Sequence, residues 1–328
     1  MRLSLSFTGF GSILAALPAV RAAEEHGLDG VWYAEHICAH DAVVPATVYL
    51  RETQRLEVIL MGLSTAGRHP GLTAMELASL AEIAPGRVRA AIGTGVPEMI
   101  AKLGRAIDKP VSSTVALHRA LTTALAGGDL TGDYPGFRFA QYKLNPLSAP
   151  PPLDIMAVRP RMVETAARYA DGVCLSAGSS RAYLADTVRR VEATLAEAGR
   201  PRESFRISAV VAAFITDDLP KARMQVAALL STFDAATTEY LAAGPIPAGA
   251  LVKAMATGGL FEAAKVFTPE VVDAVAMVCP PEALAESLAA YAETGVDEIA
   301  VAPFAPPDQV PELIRQLAEC RPLLTAKS

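Results

Sequence analysis

Residues 56–95 constrain the fold of this chain more than any other stretch. They contain two short apolar runs, Val58–Leu63 and Val88–Ile92, joined by a segment whose apolar residues recur at helical spacing. Pro70 near the start of that segment and Pro85 near its end predict the limits of a helix. A connection of this length returns the chain to the same edge of a sheet, so we expect parallel strands with a right-handed crossover.

A recurring phrase extends this unit to the whole chain. A small residue and an aspartate precede an apolar strand in GLDGVWYAE at 27–35, YADGVCLSA at 169–177 and TGVDEIAVA at 294–302. Repetition of one helix-to-strand junction indicates a repeating βα architecture. Strands are predicted near residues 2–7, 30–35, 57–63, 87–92, 153–157, 172–176, 206–214 and 298–302.

Helices are predicted in the intervals, at about residues 14–26, 70–84, 96–126 in two pieces, 161–170, 181–198, 218–243, 281–294 and 308–320. Strands that alternate with helices in this way favour an α/β fold of the (β/α)8 TIM-barrel type over an open doubly wound sheet. Barrels of this kind often exceed about 250 residues, so residues 1–328 are expected to form a single barrel domain.

Two segments are longer than the strand-to-strand connections of a minimal barrel. Residues 127–152 are rich in glycine, proline and aromatic residues and predict a loop insertion with one short hairpin. Residues 217–280 are too long for one crossover and predict a helical insertion between strands 7 and 8. Long insertions on the loop face of a barrel commonly shape the substrate pocket, so we expect these two to decide substrate choice.

Composition limits the binding partners and the cellular location that can be expected. The chain has 29 Lys and Arg against 35 Asp and Glu, a net charge of -6, and no basic run, so nucleic acid is not an expected partner. Its four cysteines lie far apart without CxxC pairing, which predicts neither a zinc site nor disulfides and fits a cytoplasmic location. No uncharged apolar stretch reaches the ~20 residues that span a bilayer, so no membrane association is expected. An apolar helical surface layer predicts a homodimer.

Glu35-His36 is a candidate catalytic pair at the expected carboxyl end of the second strand. Histidine exchanges a proton near neutral pH, and an acidic neighbour can fix its tautomer or raise its proton affinity. The alternative is a histidine that caps the strand and bonds to a backbone carbonyl. Gly93-Thr94-Gly95 lacks the spacing of a phosphate motif; it either lets a flat ligand approach the backbone or forms only a tight turn.

A charged helix start, Arg159-Pro160-Arg161, follows the fifth strand. Free backbone N–H groups at such a position attract anions, and two arginines can grip a phosphate or carboxylate. Solvated arginines on a capped helix are the alternative. The chain has no GxSxG elbow, no Ser-His-Asp signature and no metal-ligand cluster, so any hard chemistry must come from an organic cofactor.

In combination, these motifs resemble a known family. Glu-His after strand two, Arg-His-Pro after strand three, the Pro-Gly-Arg turn, Gly-Thr-Gly after strand four, the proline-led helix after strand five and Ala-Asp-Gly before strand six resemble the bacterial luciferase-like superfamily. The similarity covers nearly the whole chain. It is closest to the branch that uses 8-hydroxy-5-deazaflavin (coenzyme F420), which includes glucose-6-phosphate dehydrogenase and methylenetetrahydromethanopterin reductase. The resemblance implies a luciferase-like TIM barrel that acts as an oxidoreductase.

The resemblance also implies roles for single residues. His36 matches a histidine beside the cofactor ring, and Glu35 matches an acidic residue that bonds the cofactor. The Met61-Gly62 step matches a non-proline cis peptide whose bulge backs the deazaflavin ring. Further cofactor contacts are implied at Thr65, Thr94, Gly95, Val158, Arg159, Arg161 and Met162.

Two carboxylates of the family pattern are missing. The dehydrogenases have Glu directly after Gly-Thr-Gly, where this chain has Val96-Pro97 and only then Glu98. The reductases have Glu at the end of strand one, where this chain has Ser6. The substrate is therefore expected to differ from those of both enzymes. His36 or Glu98 is left as proton donor, with Glu35 beside His36 as the third candidate catalytic residue.

The leading hypothesis is an F420-dependent oxidoreductase. Reduced deazaflavin would pass hydride to a small organic substrate in a dry barrel mouth, and His36 would supply or stabilise the proton. An FMN-dependent monooxygenase of the same superfamily is the first alternative. A catalytically silent cofactor-binding barrel is the second, because the family carboxylates are missing.

Overall fold

The computed structural model describes residues 1–231 and 234–322. The strands are β1 (Arg2–Phe7), β2 (Gly30–Ala34), β3 (Glu57–Ser64), β4 (Val88–Gly93), β5 (Leu130–Tyr134), β6 (Phe137–Tyr142), β7 (Leu153–Ala157), β8 (Gly172–Leu175), β9 (Arg206–Ile215), β10 (Met277–Cys279) and β11 (Glu298–Pro303).

Helices follow the strands around the barrel. They are α1 (Leu17–Glu25), α2 (Val43–Glu52), α3 (Pro70–Ile83), α4 (Pro97–Ala101), α5 (Pro110–Leu125), α6 (Pro160–Tyr169), α7 (Arg181–Glu197), α8 (Leu219–Leu230), α9 (Ala235–Ala242), α10 (Ala250–Val266), α11 (Pro269–Val275), α12 (Leu284–Ala292) and α13 (Val310–Glu319). No helix of the described residues is long and apolar enough to cross a bilayer.

Eight parallel strands close into a barrel in the order β9-β11-β1-β2-β3-β4-β7-β8, and β8 pairs back with β9. The predicted (β/α)8 TIM barrel is confirmed, and each predicted barrel strand agrees with the observed one to within a residue at either end. These strands could be predicted from the sequence because both of their faces are covered by other residues. Strands of this kind appear in the sequence as nearly continuous apolar runs.

Some predicted helix limits are wrong. Helix α1 begins at Leu17 rather than near residue 14, because Pro18 fits only in a first turn. The helix expected at 218–243 divides into α8 and α9, and the carboxylate of Asp234 caps the second by accepting a hydrogen bond from the Thr237 amide, 3.0 Å away. In the region expected to be helical up to residue 278, the chain forms the short strand β10 beside β9.

Helix α2 had no counterpart in the prediction. Its first turn contains two β-branched residues, Val43 and Val44, which weaken the helical signal of the sequence. In the structure, the Asp41 carboxylate accepts hydrogen bonds from both of their amides, at 2.8 and 3.0 Å. The helix start is therefore stabilised by a side chain that lies outside the helical pattern.

The recurring aspartate phrase has a common structural role. In each copy, the aspartate carboxylate accepts a hydrogen bond from a backbone N–H at the start of a neighbouring parallel strand. The pairs are Asp29 with Leu3 at 2.8 Å, Asp171 with Leu153 at 2.8 Å and Asp297 with Ile207 at 2.7 Å. The phrase thus satisfies a strand-end donor that would otherwise lack a partner, which explains why aspartate recurs at this junction.

The amino end of the barrel interior contains a chain of buried ion pairs. Arg206 bonds to Glu57 at 2.6 Å and to Glu298 at 3.3 Å, and Arg89 bonds to Glu57 at 3.3 Å and to Asp154. Glu298 and Asp154 are fully buried. Burial raises the pKa of Asp154 to about 7, although the Arg89 guanidinium opposes that rise. Asp154 therefore depends on Arg89 for its charged form.

Both segments that exceed a minimal barrel lie against helix starts at its carboxyl end. Strands β5 and β6 form an antiparallel hairpin, and the hydroxyl of Tyr142 donates to the carbonyl oxygen of Gly71 in the first turn of α3, at 2.8 Å. The helices after β9 enclose a separate apolar core, and Leu241 of α9 accepts a hydrogen bond from the amide of Ser180, the cap of α7, at 2.9 Å.

Replacement of Arg89 by Met should destabilise the fold by roughly 3–5 kcal/mol, because it leaves the buried Asp154 and Glu57 carboxylates without that cation. An Asp whose folded-state pKa exceeds its unfolded value loses stability as pH rises between the two values. Without Arg89 the folded-state pKa of Asp154 rises further, so the deficit of Arg89→Met should be larger at pH 8.5 than at pH 6. Urea denaturation at both pH values measures it.

Arg189→Met is the matched control, because Arg189 pairs with Asp186 at 3.2 Å and both side chains are more than half exposed. It should cost less than about 1 kcal/mol. Equal losses for the two variants would contradict the importance assigned to the buried pairs.

Candidate active site at the carboxyl ends of the strands

The carboxyl ends of the strands surround a mouth whose floor is apolar. Met156, Ala177 and Phe304 are partly buried and pack on the cluster that fills the upper barrel. Phe304 also stacks on Phe214, with 4.7 Å between ring centroids and 6° between the ring planes. That cluster consists of Trp32, Ala34, Ile59, Met61, Ala91, Cys174, Val210, Ala300 and Ala302. Four of these residues are alanines, so few bulky side chains rise into the mouth.

Strand β3 has a bulge where the cofactor ring was predicted to lie. Its pairing with β4 shifts register between Met61 and Leu63, and Gly62 there has a φ of +86°. The predicted cis peptide at Met61-Gly62 is wrong, since no peptide bond of the described residues is cis. Glycine adopts positive φ without steric cost, so it accommodates the extra residue in an all-trans chain. A Cβ at Gly62 would lie 3.6 Å from the Glu35 carbonyl oxygen and 3.6 Å from Sδ of Met156.

His36 lies two residues beyond Ala34, the last residue of β2, and begins a tight turn. Its carbonyl oxygen accepts a hydrogen bond from the Ala39 amide at 2.9 Å, and its own amide donates to the His40 carbonyl at 3.4 Å. The imidazole lies against the ring of Phe10, with 4.4 Å between centroids and 37° between the planes. Its Nδ1 atom is buried and makes no hydrogen bond to the described residues.

Burial lowers the pKa of His36 below its ordinary value of 6.5. The nearby carbonyl groups of Ala34 and Thr8 and the carboxylate of Glu35 act in the opposite direction but are outweighed. The imidazole is therefore mostly neutral at pH 7, and a neutral imidazole accepts a proton more readily than it gives one up.

Glu35 is held in an ion pair. Its carboxylate lies 2.5 Å from Nη2 of Arg68, and Nη1 of Arg68 lies 2.8 Å from the carboxylate of Glu76. The same Glu35 carboxylate accepts a hydrogen bond from the amide of Ala42 at 3.3 Å, just before α2. The backbone amide of Glu35 donates to Met61 at 2.8 Å, which joins the ends of β2 and β3. Glu35 thus fixes the loop that contains His36.

The loops after β3 and β4 are also connected. The amide of Thr65 donates to the carbonyl oxygen of Gly93 at 2.8 Å, and the buried hydroxyl of Thr65 has no partner. The hydroxyl of Thr94 bonds only to the carbonyl oxygen of Gly95, at 3.3 Å. Gly95 has a φ of +76°, and a Cβ there would lie 2.9 Å from Cδ1 of Ile100. Packing of α4 therefore accounts for this glycine without any ligand.

Both arginines at the charged start of α6 are exposed. The guanidinium of Arg159 also lies 4.4 Å from the ring centroid of Tyr240 in α9. Arg161 lies in the first turn of the helix. Val158 and Met162 are half-buried against the main core between strands and helices. The helix start therefore presents two cationic side chains at the surface.

Glu98 lies apart from these residues. It is exposed in the first turn of the five-residue helix α4, whereas His36, Gly62 and Thr65 follow or interrupt neighbouring strands joined by hydrogen bonds. The structure thus brings His36, Gly62 and Thr65 to one side of the mouth and leaves Glu98 on the rim.

Three residues of the mouth were not assigned from the sequence. They are Phe10 in the loop after β1, Arg68 in the Arg-His-Pro segment after β3, and Met156 in β7. The signal for Phe10 is an aromatic residue between two glycines directly after a barrel strand. For Arg68 and Met156, no local pattern reveals the tertiary partner.

Comparison with known proteins places this geometry in a family. The profile described as luciferase-like monooxygenase matches residues 9–298. A 5,10-methylenetetrahydromethanopterin reductase of Archaeoglobus fulgidus is 25% identical over 309 residues, which cover 88% of this chain and 90% of that protein.

Solved structures share the fold. The coenzyme F420-dependent tetrahydromethanopterin reductase of Methanopyrus kandleri superposes with a TM-score of 0.81 at 16% identity, covering 99% of both chains. A riboflavin lyase solved with modified FMN and riboflavin has a TM-score of 0.74 at 17% identity, covering 99% of this chain and 91% of the lyase. Because the profile match spans far more than half of the sequence, the chain belongs to the luciferase-like monooxygenase family.

Proposed function

We propose that this protein is an F420-dependent oxidoreductase that transfers hydride between the deazaflavin and a small organic substrate. The observation that carries the proposal is the glycine bulge of β3 at the barrel mouth, where Gly62 faces the carbonyl oxygen of Glu35, the residue before His36. The relatives named above as using F420 or acting on methylenetetrahydromethanopterin support this choice of cofactor.

The residues at the mouth fit a flat cofactor ring. The Thr65 hydroxyl is a buried polar atom without a partner among the described residues, and native structures rarely leave such an atom unsatisfied. Gly62 places bare backbone beside Met156, so a ring can approach the bulge closely. Met61, Gly62, Thr65, Thr94 and Gly95 would hold the ring end of F420.

The anionic tail of the cofactor would extend to the start of α6. That helix has ten residues, and the Arg159 side chain makes no capping bond at its start. Pro160 has no N–H, and the Met162 amide donates to the Arg159 carbonyl oxygen at 2.9 Å. Arg161 is exposed in the first turn, so the position combines a helix terminus with a cationic side chain. Val158, Arg159, Arg161 and Met162 would form this part of the site.

When bound, reduced F420 supplies a hydride to an organic acceptor, and its oxidised form takes one up. The protein must then supply or remove the accompanying proton. His36 is the histidine at the mouth, and burial lowers its pKa below 6.5. Glu35, paired with Arg68, orients the His36 loop, while Glu98 is exposed at the rim.

A flavin is the second candidate cofactor. The riboflavin lyase, which was solved with modified FMN, has the same fold over nearly the whole chain. With FMN, this protein would instead act as a monooxygenase.

Spectral titration of the purified protein with F420 and with FMN tests the choice. We expect saturable perturbation of the F420 absorbance and weak or no binding of FMN. Tight binding of FMN together with indifference to F420 would establish the flavin alternative. Failure to bind either would leave a barrel without redox function.

Gly62→Ala should weaken F420 binding by about tenfold, the equivalent of roughly 1.4 kcal/mol, since the new methyl group enters the space beside Met156. The substitution also strains a backbone with a φ of +86°, at a cost of about 1–2 kcal/mol in stability. Gly86→Ala is the control, because Gly86 has a φ of +74° and no atom within 4 Å of the added Cβ. Similar stability losses with equal cofactor affinities would contradict a ring at the bulge.

His36→Ala should slow turnover by about 100-fold or more and leave F420 affinity within a few fold, because a positioned acid or base contributes mainly to the chemical step. His40→Ala removes a nearby exposed imidazole and should change little. Full activity of His36→Ala would exclude this residue from proton transfer.

The pH dependence of the wild-type enzyme provides a separate test of His36. Substrate reduction needs the imidazolium, so its rate should fall as pH rises through the lowered pKa of His36; substrate oxidation needs the neutral ring, so its rate should rise. Initial rates in both directions between pH 4.5 and about 8 measure this. A midpoint above 6.5 would contradict the buried environment described for the ring.

A further inference from the structure

Phe10 occupies an unusual position for a large apolar side chain. It is 63% exposed in the loop after β1, so its burial contributes little to the core. Within the described residues, its ring contacts one other ring, the imidazole of His36, at a centroid distance of 4.4 Å. The contact covers one side of a ring placed at the barrel mouth.

The backbone before Phe10 is built for this contact. Gly9 has a φ of +77°, and a Cβ there would lie 2.1 Å from the carbonyl oxygen of Ala34 and 3.3 Å from Nδ1 of His36. Only glycine fits such an approach. The following glycine differs, since a Cβ at Gly11 would meet nothing within 4 Å. The loop after β1 therefore packs closely against the end of β2 at Gly9, whereas at Gly11, just beyond Phe10, the space around it is open.

We propose that Phe10 is a positioning residue for His36: its ring holds the imidazole in one orientation and shields it from water. The inference rests on the proposed function, in which His36 moves the proton. Phe10 would act on the reaction only through His36, and the other side of its exposed ring faces the mouth as an apolar wall for substrate.

The groups around His36 allow the effect of the ring to be isolated. The carboxylate of Glu35 raises the pKa of His36, and that carboxylate is already paired with Arg68. The loop from Thr8 to Ser12 contains no titratable side chain. Removal of the Phe10 ring therefore changes hydration of the imidazole without changing a neighbouring charge. Because burial lowers the pKa of His36, returning water should raise it.

The experiment is an NMR titration of the histidine Cε1–H signals in protein labelled with 13C-histidine, without cofactor or substrate. The chain has five histidines, and His36→Asn assigns the signal of interest. Phe10→Ala should shift the midpoint of His36 upward, toward the value of a hydrated histidine. Phe10→Tyr, which keeps the ring, should leave it at the wild-type value.

Leu14→Ala is the matched control, because Leu14 is 68% exposed in the same connection to α1. It should not move the midpoint. An unchanged midpoint in Phe10→Ala, or equal shifts in Phe10→Ala and Leu14→Ala, would overturn the proposal. Because the titration needs neither cofactor nor turnover, its outcome is separate from that of the F420 binding test.

Gly9→Ala and Gly11→Ala form a second pair that leaves the phenylalanine in place. A methyl group at Gly9 collides with the Ala34 carbonyl and should displace the loop, so the His36 midpoint should rise as in Phe10→Ala. Gly11→Ala should have no effect, since the space around it is open. An unshifted midpoint in folded Gly9→Ala would show that the contact does not depend on the loop as described and would count against the proposal.

Discussion

The buried carboxylate of Glu298 is the constraint on which the barrel depends. It lies on β11 and accepts hydrogen bonds from Ser4 of β1 at 2.5 Å and from the indole of Trp32 of β2 at 2.9 Å. Arg206 of β9 links it to Glu57 of β3, and the pairs continue through β4 to β7. One connected set of hydrogen bonds and ion pairs thus joins seven of the eight barrel strands. Charges buried in this way favour one strand arrangement, because any slip in register leaves a carboxylate without its cation.

The eighth barrel strand, β8, contributes a glycine to this layer instead of a charged side chain. Gly172 of β8 faces the same level, and a Cβ there would lie 2.5 Å from the carboxylate of Asp154 and 2.6 Å from the Arg206 carbonyl oxygen. The amino end therefore contains a polar layer that also lines two surface cavities, whereas the carboxyl end rests on a floor rich in alanine. In barrels of this type, the amino end usually serves stability and the carboxyl end chemistry.

The candidate site could be predicted only in part, and the reasons are physical. The location of His36 at the mouth was predicted correctly, because a residue that follows a barrel strand lies at the carboxyl end of the barrel. Its low pKa was not predicted, since burial of the imidazole depends on contacts between residues far apart in sequence. The bulge of β3 was expected to contain a cis peptide bond; the structure instead has trans peptide bonds there and a positive φ at Gly62. Glu35 stays a predicted cofactor contact, and in the structure its carboxylate pairs with Arg68.

The sequence by itself determined the strand count, the alternation with helices and the closing of a parallel barrel. Those features follow from local periodicity and from the aspartate phrase at 27–35, 169–177 and 294–302. Only the tertiary structure decided which charges are buried and which are solvated, because Glu57, Arg89 and Glu298 look in sequence like ordinary charges at strand ends. It also decided that Phe10 meets His36 and that Glu98 does not. Hydration and charge pairing depend on distances across the barrel, and no local pattern contains those distances.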